Sequence, residues 1–380
     1  MANAQSTKGL EGVVIGTSTI SNVEGEIGRL SYRGYLIGDL AHNSSYEEVL
    51  YLLLHAELPN KEQLADLDSK LKAHRELSEG AMAVLRALPT TGEPIDVLRT
   101  ITSTLALMDA DVNNTSTEAV LDKSLKLAAC MPTIVAAYDR IRNGKEPVAP
   151  SKTLGHAANL LYMLKGEEPS EEDASALNTY FVLAAEHSFN ASTFTAKVVI
   201  STLSDYMSAI TAALCSLKGI SHGGANQKAM EMMIEIGSLE AVEPFIDNAL
   251  ATKRKLMGMG HRIYKTYDPR ARQLNEHARI VAERSGNTRW YDIAKRIDEI
   301  SRTHEYFSSR RIYPNVEFYS APLLYTLGFE PDMMPALFGC SRVAGWTAHV
   351  LEQLAENRII RPSVEYVGPA IRDYVNMDAR

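Results

Sequence analysis

The amino-acid sequence predicts an all-α, multi-helical fold with a small extended segment at its N-terminus, and three observations carry that reading. Apolar residues recur at three- and four-residue spacing along most of the chain, as helices with one buried face require. Side chains that cap helix N-termini stand directly ahead of several of these segments. Strand-like alternation is nearly absent beyond residue 40.

The elements follow in order. Residues 12–38 are rich in Val, Ile, Thr and Gly and read as short extended pieces and turns. Ser45 followed by Glu48 forms a capping box that opens a helix through His55, which Pro59 terminates. Residues 61–77 carry leucines at 64, 67 and 71, a helical spacing. Thr115 with Glu118 begins a long segment running to Asn143-Gly144, and Pro132 within it predicts a kink or a split. Ser170 with Asp173 opens a helix to about residue 186. An apolar stretch over 192–217 ends at Gly219. Helical patterns then cover roughly 223–236, 241–256, 270–284, 289–309 and 332–357. There is no self-similarity at the 20–50-residue periods of a solenoid. No Gly-, Ser- or Pro-rich linker divides the chain. Two lobes would therefore be joined by a pair of hinges, near 219–224 and 319–331.

A chain of 380 residues is long enough for one large core or two packed lobes. Its 45% apolar and 23% charged residues are an ordinary balance for a globular protein. A net charge of -8 and a pI of about 5.8 argue against a nucleic-acid partner, which would face a basic surface. They do not argue against an anionic substrate, because local arginines override a weak global field. Cys130, Cys215 and Cys340 are far apart and form no zinc or disulfide pattern, so a reducing, cytoplasmic setting is expected. The opening MANAQSTKGLEG has neither an apolar core nor an arginine-rich amphipathic stretch, and no targeting peptide is expected. Runs such as residues 49–54 fall far short of the roughly 20 apolar residues of a membrane span.

Four segments read as interhelical are dense in His, Gly and Arg. In Gly219-Ile220-Ser221-His222-Gly223-Gly224, a histidine between glycines directly precedes a helix. Its ring and nearby N–H groups can approach a ligand, and the helix dipole favours the neutral imidazole. A neutral ring can donate a hydrogen bond to a carbonyl becoming an enolate. The alternative is a histidine that merely caps the helix. Gly258-Met259-Gly260-His261-Arg262-Ile263-Tyr264-Lys265 leads to Asp268-Pro269-Arg270. It lacks the third glycine and the preceding strand of a dinucleotide fingerprint, and no P-loop pattern is present. A turn explains the glycines but not the concentration of His, Arg and Lys. In Pro314-Asn315-Val316-Glu317-Phe318-Tyr319-Ser320, a single carboxylate among apolar groups suits a base with a raised pKa, or else a helix cap or an arginine partner. Arg342, in Phe338-Gly339-Cys340-Ser341-Arg342, sits among apolar residues near a helix start, a costly place for a guanidinium without an anion. Arg270, Arg342 and Arg361 would suit a dicarboxylate if they converge, since arginine matches carboxylates through paired hydrogen bonds. Taken singly, each is more often a structural salt-bridge partner. His187 alone reads as structural, and no His, Cys or acidic spacing suggests a metal site.

Taken together, these segments resemble the citrate synthases over essentially the whole chain. The resemblance rests on residues 187–194, on the Gly258 to Arg270 signature, and on 314–320, 338–342 and Arg361-Pro362-Ser363, in family order. It implies an all-helical homodimer, possibly in a higher assembly. Each chain would have a large lobe (1–222 and 328–380) and a small lobe (223–327) that closes over substrates, with the C-terminal tail reaching across the dimer. It implies the condensation of acetyl-coenzyme A with oxaloacetate and water to give citrate and coenzyme A, with no metal or other cofactor. His222 would hold the thioester oxygen, Glu317 would remove a methyl proton, and His261 would polarise the ketone. His187, Arg270, Arg342 and Arg361, the last from the partner subunit, would bind oxaloacetate. Arg262, Lys265, Arg310 and Arg311 would meet coenzyme A. The start close to the core fold implies the short, dimeric type rather than the longer NADH-regulated one. One departure stands out: the family pattern has aspartate where this chain has Glu317. That implies a retuned proton-abstraction step, and it keeps open a citrate-synthase-like scaffold with weakened catalysis. Within the class, 2-methylcitrate synthase, using propionyl-coenzyme A, is the rival, since one methyl is worth only about 1–3 kcal/mol of discrimination.

Overall fold

A computed structural model describes residues 8–10, 12–261 and 263–380. The extended segment is a three-stranded antiparallel sheet of β1 (Ser21–Glu24), β2 (Arg29–Tyr32) and β3 (Tyr35–Leu36), in that order. Everything else of regular structure among the described residues is helical, apart from one isolated β-bridge between Met259 and Pro314.

The local signals account for several helix starts. Ser45 and Glu48 make both bonds of the capping box at Tyr46–His55. Asn60 and Gln63 form a second box at Lys61–Ala73, a helix that ends four residues before the leucine pattern does. Ser170 accepts from the Asp173 N–H and opens Glu171–Ala184. At Thr117–Arg142 the cap is Ser116 rather than Thr115, and the helix runs unbroken through Pro132. Every residue from Leu127 to Tyr138 is buried there, so packing on all sides overrides the proline's local cost.

Other expectations are corrected. The 192–217 stretch is two helices, Ala191–Ser201 and Tyr206–Leu217, because Leu203 turns left-handed (φ 65°) and Asp205 caps a new start. The 289–309 pattern is divided at His304, which caps Glu305–Ser308 after Arg289–Thr303. Helices over Ile37–Asn43, Pro94–Leu107, His156–Lys165 and Val316–Thr326 have no side-chain N-cap, and neither they nor Glu79–Ala87, which Ser78 caps, were anticipated.

At the centre lies Met334–Ala355, in which every residue from Met334 to Val350 is buried. It packs against Tyr46–His55, Thr117–Arg142, Glu171–Ala184, Ala191–Ser201 and Tyr206–Leu217. Arg342 is therefore in the interior of a core helix and not near its start. The small sheet is tied to the same core: the buried Tyr32 hydroxyl lies 2.7 Å from Glu186 O and accepts from the Glu186 N–H. Among the described residues, no helix is long and apolar enough to cross a membrane.

Candidate active site

His222 sits in the turns between Tyr206–Leu217 and Ala225–Ile236. Gly223 permits this turn, because a Cβ there would stand 2.6 Å from Leu217. The His222 Nε2 lies 2.7 Å from Ser192 Oγ, and the Ser192 N–H donates to it at 3.3 Å. A backbone N–H can only donate, so Nε2 is the acceptor and the ring proton resides on Nδ1. Ser192 is itself fixed by Trp346 Nε1, which donates to its hydroxyl, and by Asn190, which caps the Ala191–Ser201 helix. The pKa of His222 falls to about 4, first through burial and then through the charge of Arg342. Burial, aided by Arg342, thus favours the neutral ring.

His261 follows two left-handed glycines, Gly258 and Gly260. A Cβ on Gly258 would lie 3.1 Å from Phe318 Cα, so glycine allows this loop to lie flat on the Glu317 helix. The His261 Nδ1 accepts from Ile263 N–H at 3.0 Å and Tyr264 N–H at 3.2 Å, which places its proton on Nε2. Burial, and next Arg270, lower its pKa to about 4. His187 is buried between Glu171–Ala184 and Ala191–Ser201, with its ring 5.4 Å from that of His261 and its Nε2 3.2 Å from Tyr264 Oη. Burial, followed by the charge of Arg270, holds it well below the usual histidine range.

The charged groups are assembled around Asp268. It caps Pro269–Ser285, and its carboxylate grips Arg270 through Nε (3.1 Å) and Nη2 (2.8 Å). The same carboxylate accepts from the Val316 N–H at 3.2 Å, joining the Arg270 helix to the start of Val316–Thr326. Glu317 thus lies in the first turn of a helix, not in a loop. Among the described residues no side chain donates to its carboxylate, and burial raises its pKa against the opposing pull of Arg270. Arg342 is buried, its Nε donating to Ala184 O at 2.6 Å and its guanidinium 4.6 Å from the Phe338 ring centroid. No carboxylate pairs with it among the described residues, and burial lowers its pKa.

These groups share one electrostatic region. The charges of Arg270 and Arg342 act on both His187 and Glu317, and His261 and His222 lie close enough that protonating either would oppose protonation of His187. Three neutral imidazoles, one carboxylate that no side chain among the described residues partners, and two guanidiniums with donors that no described residue engages can bind a small dianion while moving a proton. Arg361 is not among them: it is exposed on the extended tail after Met334–Ala355. Lys265 and Arg311 are exposed and both meet the β1–β2 turn, through the Lys265 N–H to Gly25 O and an Arg311–Glu26 pair at 3.5 Å. Arg310 is exposed, its guanidinium 4.2 Å from the Tyr306 ring centroid. Arg262 lies outside the described residues. A cleft of about 620 Å³ beside His42, Glu47, His156 and His277 contains none of the site residues.

Sequence reasoning missed Ser192, Tyr264 and Asp268 as partners of the site. Asp268 had a legible signal, since Asp-Pro is a cap followed by the favoured first helical residue. Ser192 and Trp346 are 154 positions apart and had none.

The profile described as citrate synthase, C-terminal domain, matches residues 9–363. Citrate synthase 2 of Bacillus subtilis (strain 168) is 43% identical over 375 residues, spanning 98% of this chain and 99% of that protein. The crystal structure of citrate synthase from Thermotoga maritima superposes with a TM-score of 0.87 at 42% identity, covering 98% of this chain and 99% of that one. The ternary complex of Thermoplasma acidophilum citrate synthase with carboxymethyl coenzyme A and oxaloacetate does so with a TM-score of 0.92 at 32% identity, covering 98% and 99%. With the profile spanning most of the chain and such relatives matching it nearly end to end, the chain belongs to the citrate synthase family.

Proposed function

We propose that this chain condenses acetyl-coenzyme A with oxaloacetate and water to citrate and free coenzyme A, through an enol formed and consumed in the site described above. The observation that carries the assignment of roles is the pair of opposed tautomers: His222 offers Nδ1–H and His261 offers Nε2–H, and both rings stay neutral down to about pH 4. In this reading Glu317 removes a proton from the methyl group while His222 donates to the thioester oxygen. A carboxylate is a weak base for so feeble a carbon acid, so the developing enolate needs that donor at the same moment. His261 donates to the oxaloacetate ketone and makes it the better electrophile. Arg270 and Arg342, each with guanidinium donors left over, hold the carboxylates with His187. Water then cleaves the citryl thioester. Side chains supply every step, and no metal or redox cofactor enters the scheme.

The same reading assigns a closing lobe to residues 223–327 against 1–222 and 328–380, which would keep water out until the carbon–carbon bond has formed. Arg262, Lys265, Arg310 and Arg311 would meet coenzyme A. The chain would work as a homodimer in the cytoplasm. The tail supports the dimer: Val364, Val367, Ile371 and Tyr374 are each at least 80% exposed, an apolar surface suited to burial on a second copy, which would also bring Arg361 to that copy's oxaloacetate. The deciding experiment is thiol release with oxaloacetate and acetyl-coenzyme A. No release at saturating acetyl- or propionyl-coenzyme A would leave only the scaffold reading, and a higher kcat/KM with propionyl-coenzyme A would shift the assignment to 2-methylcitrate.

A further inference from the structure

One buried carboxylate collects four hydrogen bonds and has no part in the reaction above. Asp298, in Arg289–Thr303, is 3% exposed. Its Oδ2 accepts from the hydroxyls of Tyr319 at 2.8 Å and Tyr267 at 3.0 Å. Arg302, one turn later, donates to both carboxylate oxygens, Nε to Oδ1 at 3.0 Å and Nη2 to Oδ2 at 2.9 Å. The Arg302 guanidinium also lies 5.0 Å from the Tyr267 ring centroid, which holds that ring from outside.

Each tyrosine adjoins a residue of the site. Tyr267 immediately precedes Asp268, which grips Arg270 and the Val316 N–H. Tyr319 is buried in the Glu317 helix, two residues beyond Glu317. The bonds therefore close a circuit. It runs from Asp298 through Tyr267 and Asp268 to Val316, then along the helix past Glu317 to Tyr319, and back to Asp298. A burial site for charge is seldom the most stable choice, since an apolar filling of the same volume is often as stable or more so. What a carboxylate provides that an apolar group cannot is two directed acceptors for two hydroxyls from separate segments.

We infer that Asp298 is a positioning residue for the condensation: by holding Tyr267 and Tyr319 together it sets the separation between Arg270, which receives oxaloacetate, and Glu317, which takes the methyl proton. The inference rests on the roles proposed above. It divides the circuit into a binding arm, through Tyr267, and a proton-transfer arm, through Tyr319.

The test uses the full-length protein with Tyr267→Phe, Tyr319→Phe and Asp298→Asn. Tyr319→Phe is expected to lower kcat about 10-fold or more while the KM for oxaloacetate stays within about two-fold, because loss of one charge-assisted bond lets the base drift. Tyr267→Phe is expected to raise the oxaloacetate KM and the dissociation constant from calorimetry by about 10-fold, with a smaller effect on kcat. Asp298→Asn should show both effects, and the Tyr267→Phe/Tyr319→Phe double variant should be no worse than it. A purely structural role would lower the melting temperature and scale down kcat alike in all three, with KM and oxaloacetate affinity unmoved, and that pattern overturns the inference. Should Asp298→Asn fail to fold, the two phenylalanine variants, each lacking one hydroxyl, decide the matter alone. A wild-type chain that binds oxaloacetate but releases no thiol sinks the condensation reading instead, and calorimetry on Tyr267→Phe still judges the binding arm.

Discussion

Shortening Glu317 to aspartate tests the departure from the family pattern at its most sensitive point. The backbone around this residue has little freedom to compensate. Asp268 holds the Val316 N–H at 3.2 Å, the Asn315 N–H donates to Gly258 O at 3.0 Å, and Asn315 Nδ2 donates to Gly260 O at 3.0 Å. Tyr319 is held by Asp298 at 2.8 Å, and Gly258 lies against Phe318. Removing one methylene therefore withdraws the carboxylate by about 1.5 Å, the length of one carbon–carbon bond. A misplacement of about 1 Å costs on the order of 100-fold in rate, roughly 2.7 kcal/mol. If the glutamate overshoots a frame built for aspartate, Glu317→Asp raises kcat by up to about that factor, capped where product release becomes limiting. The KM for oxaloacetate should stay constant, because Arg270 and Arg342 keep their anchors. Steady-state thiol release measures the change. The isotope effect with methyl-deuterated acetyl-coenzyme A identifies the step, being present in the wild type and smaller in the variant. An unchanged or lower kcat refutes the reasoning.

Four further outcomes follow. Burial raises the Glu317 pKa above its ordinary value of 4.5, so the ionised form costs the folded state stability at neutral pH and that cost disappears as pH falls below 4.5. Glu317→Gln should consequently melt higher than wild type at pH 7, lose this advantage near pH 4, and be inactive; equal melting curves across that range contradict the assignment. In the active wild type the acid limb of kcat/KM should reflect Glu317 rather than His222 or His261, which stay neutral to about pH 4. Ser192→Ala removes the hydroxyl 2.7 Å from His222 Nε2 and the acceptor of Trp346, and should lower kcat roughly 5- to 10-fold with oxaloacetate affinity retained; a change in affinity alone would argue against a role through His222. Arg361→Ala and His261→Ala, each inactive or weak alone, should recover activity when unfolded and refolded together, since hybrid dimers contain one intact site; no recovery would place Arg361 outside the partner's site.

Much of the fold was legible in the sequence where a single turn of chain contains the whole cause. Ser45 with Glu48 and Ser170 with Asp173 act on N–H groups three residues away, and those helix starts stand where the caps put them. The chemical inventory of the site was equally legible, because His222, His261, Arg270 and Glu317 lie in short segments whose composition is unusual on its face. Reading failed where the cause lay far off in the chain. Pro132 does not split its helix, because burial on every side outweighs one lost hydrogen bond, and burial depends on distant segments. The Glu317 helix starts at a site where Asp268, 48 residues earlier, supplies the acceptor for its first free N–H. The proton of His222 is assigned by Ser192, 30 residues away, and Ser192 by Trp346, 154 further on. By itself, then, the sequence determined which groups are available and which helices begin at their own caps. Only the tertiary structure decided their protonation, their tautomers and their partners, because each of these depends on removal from water and on hydrogen bonds that exist only once separate segments have come together.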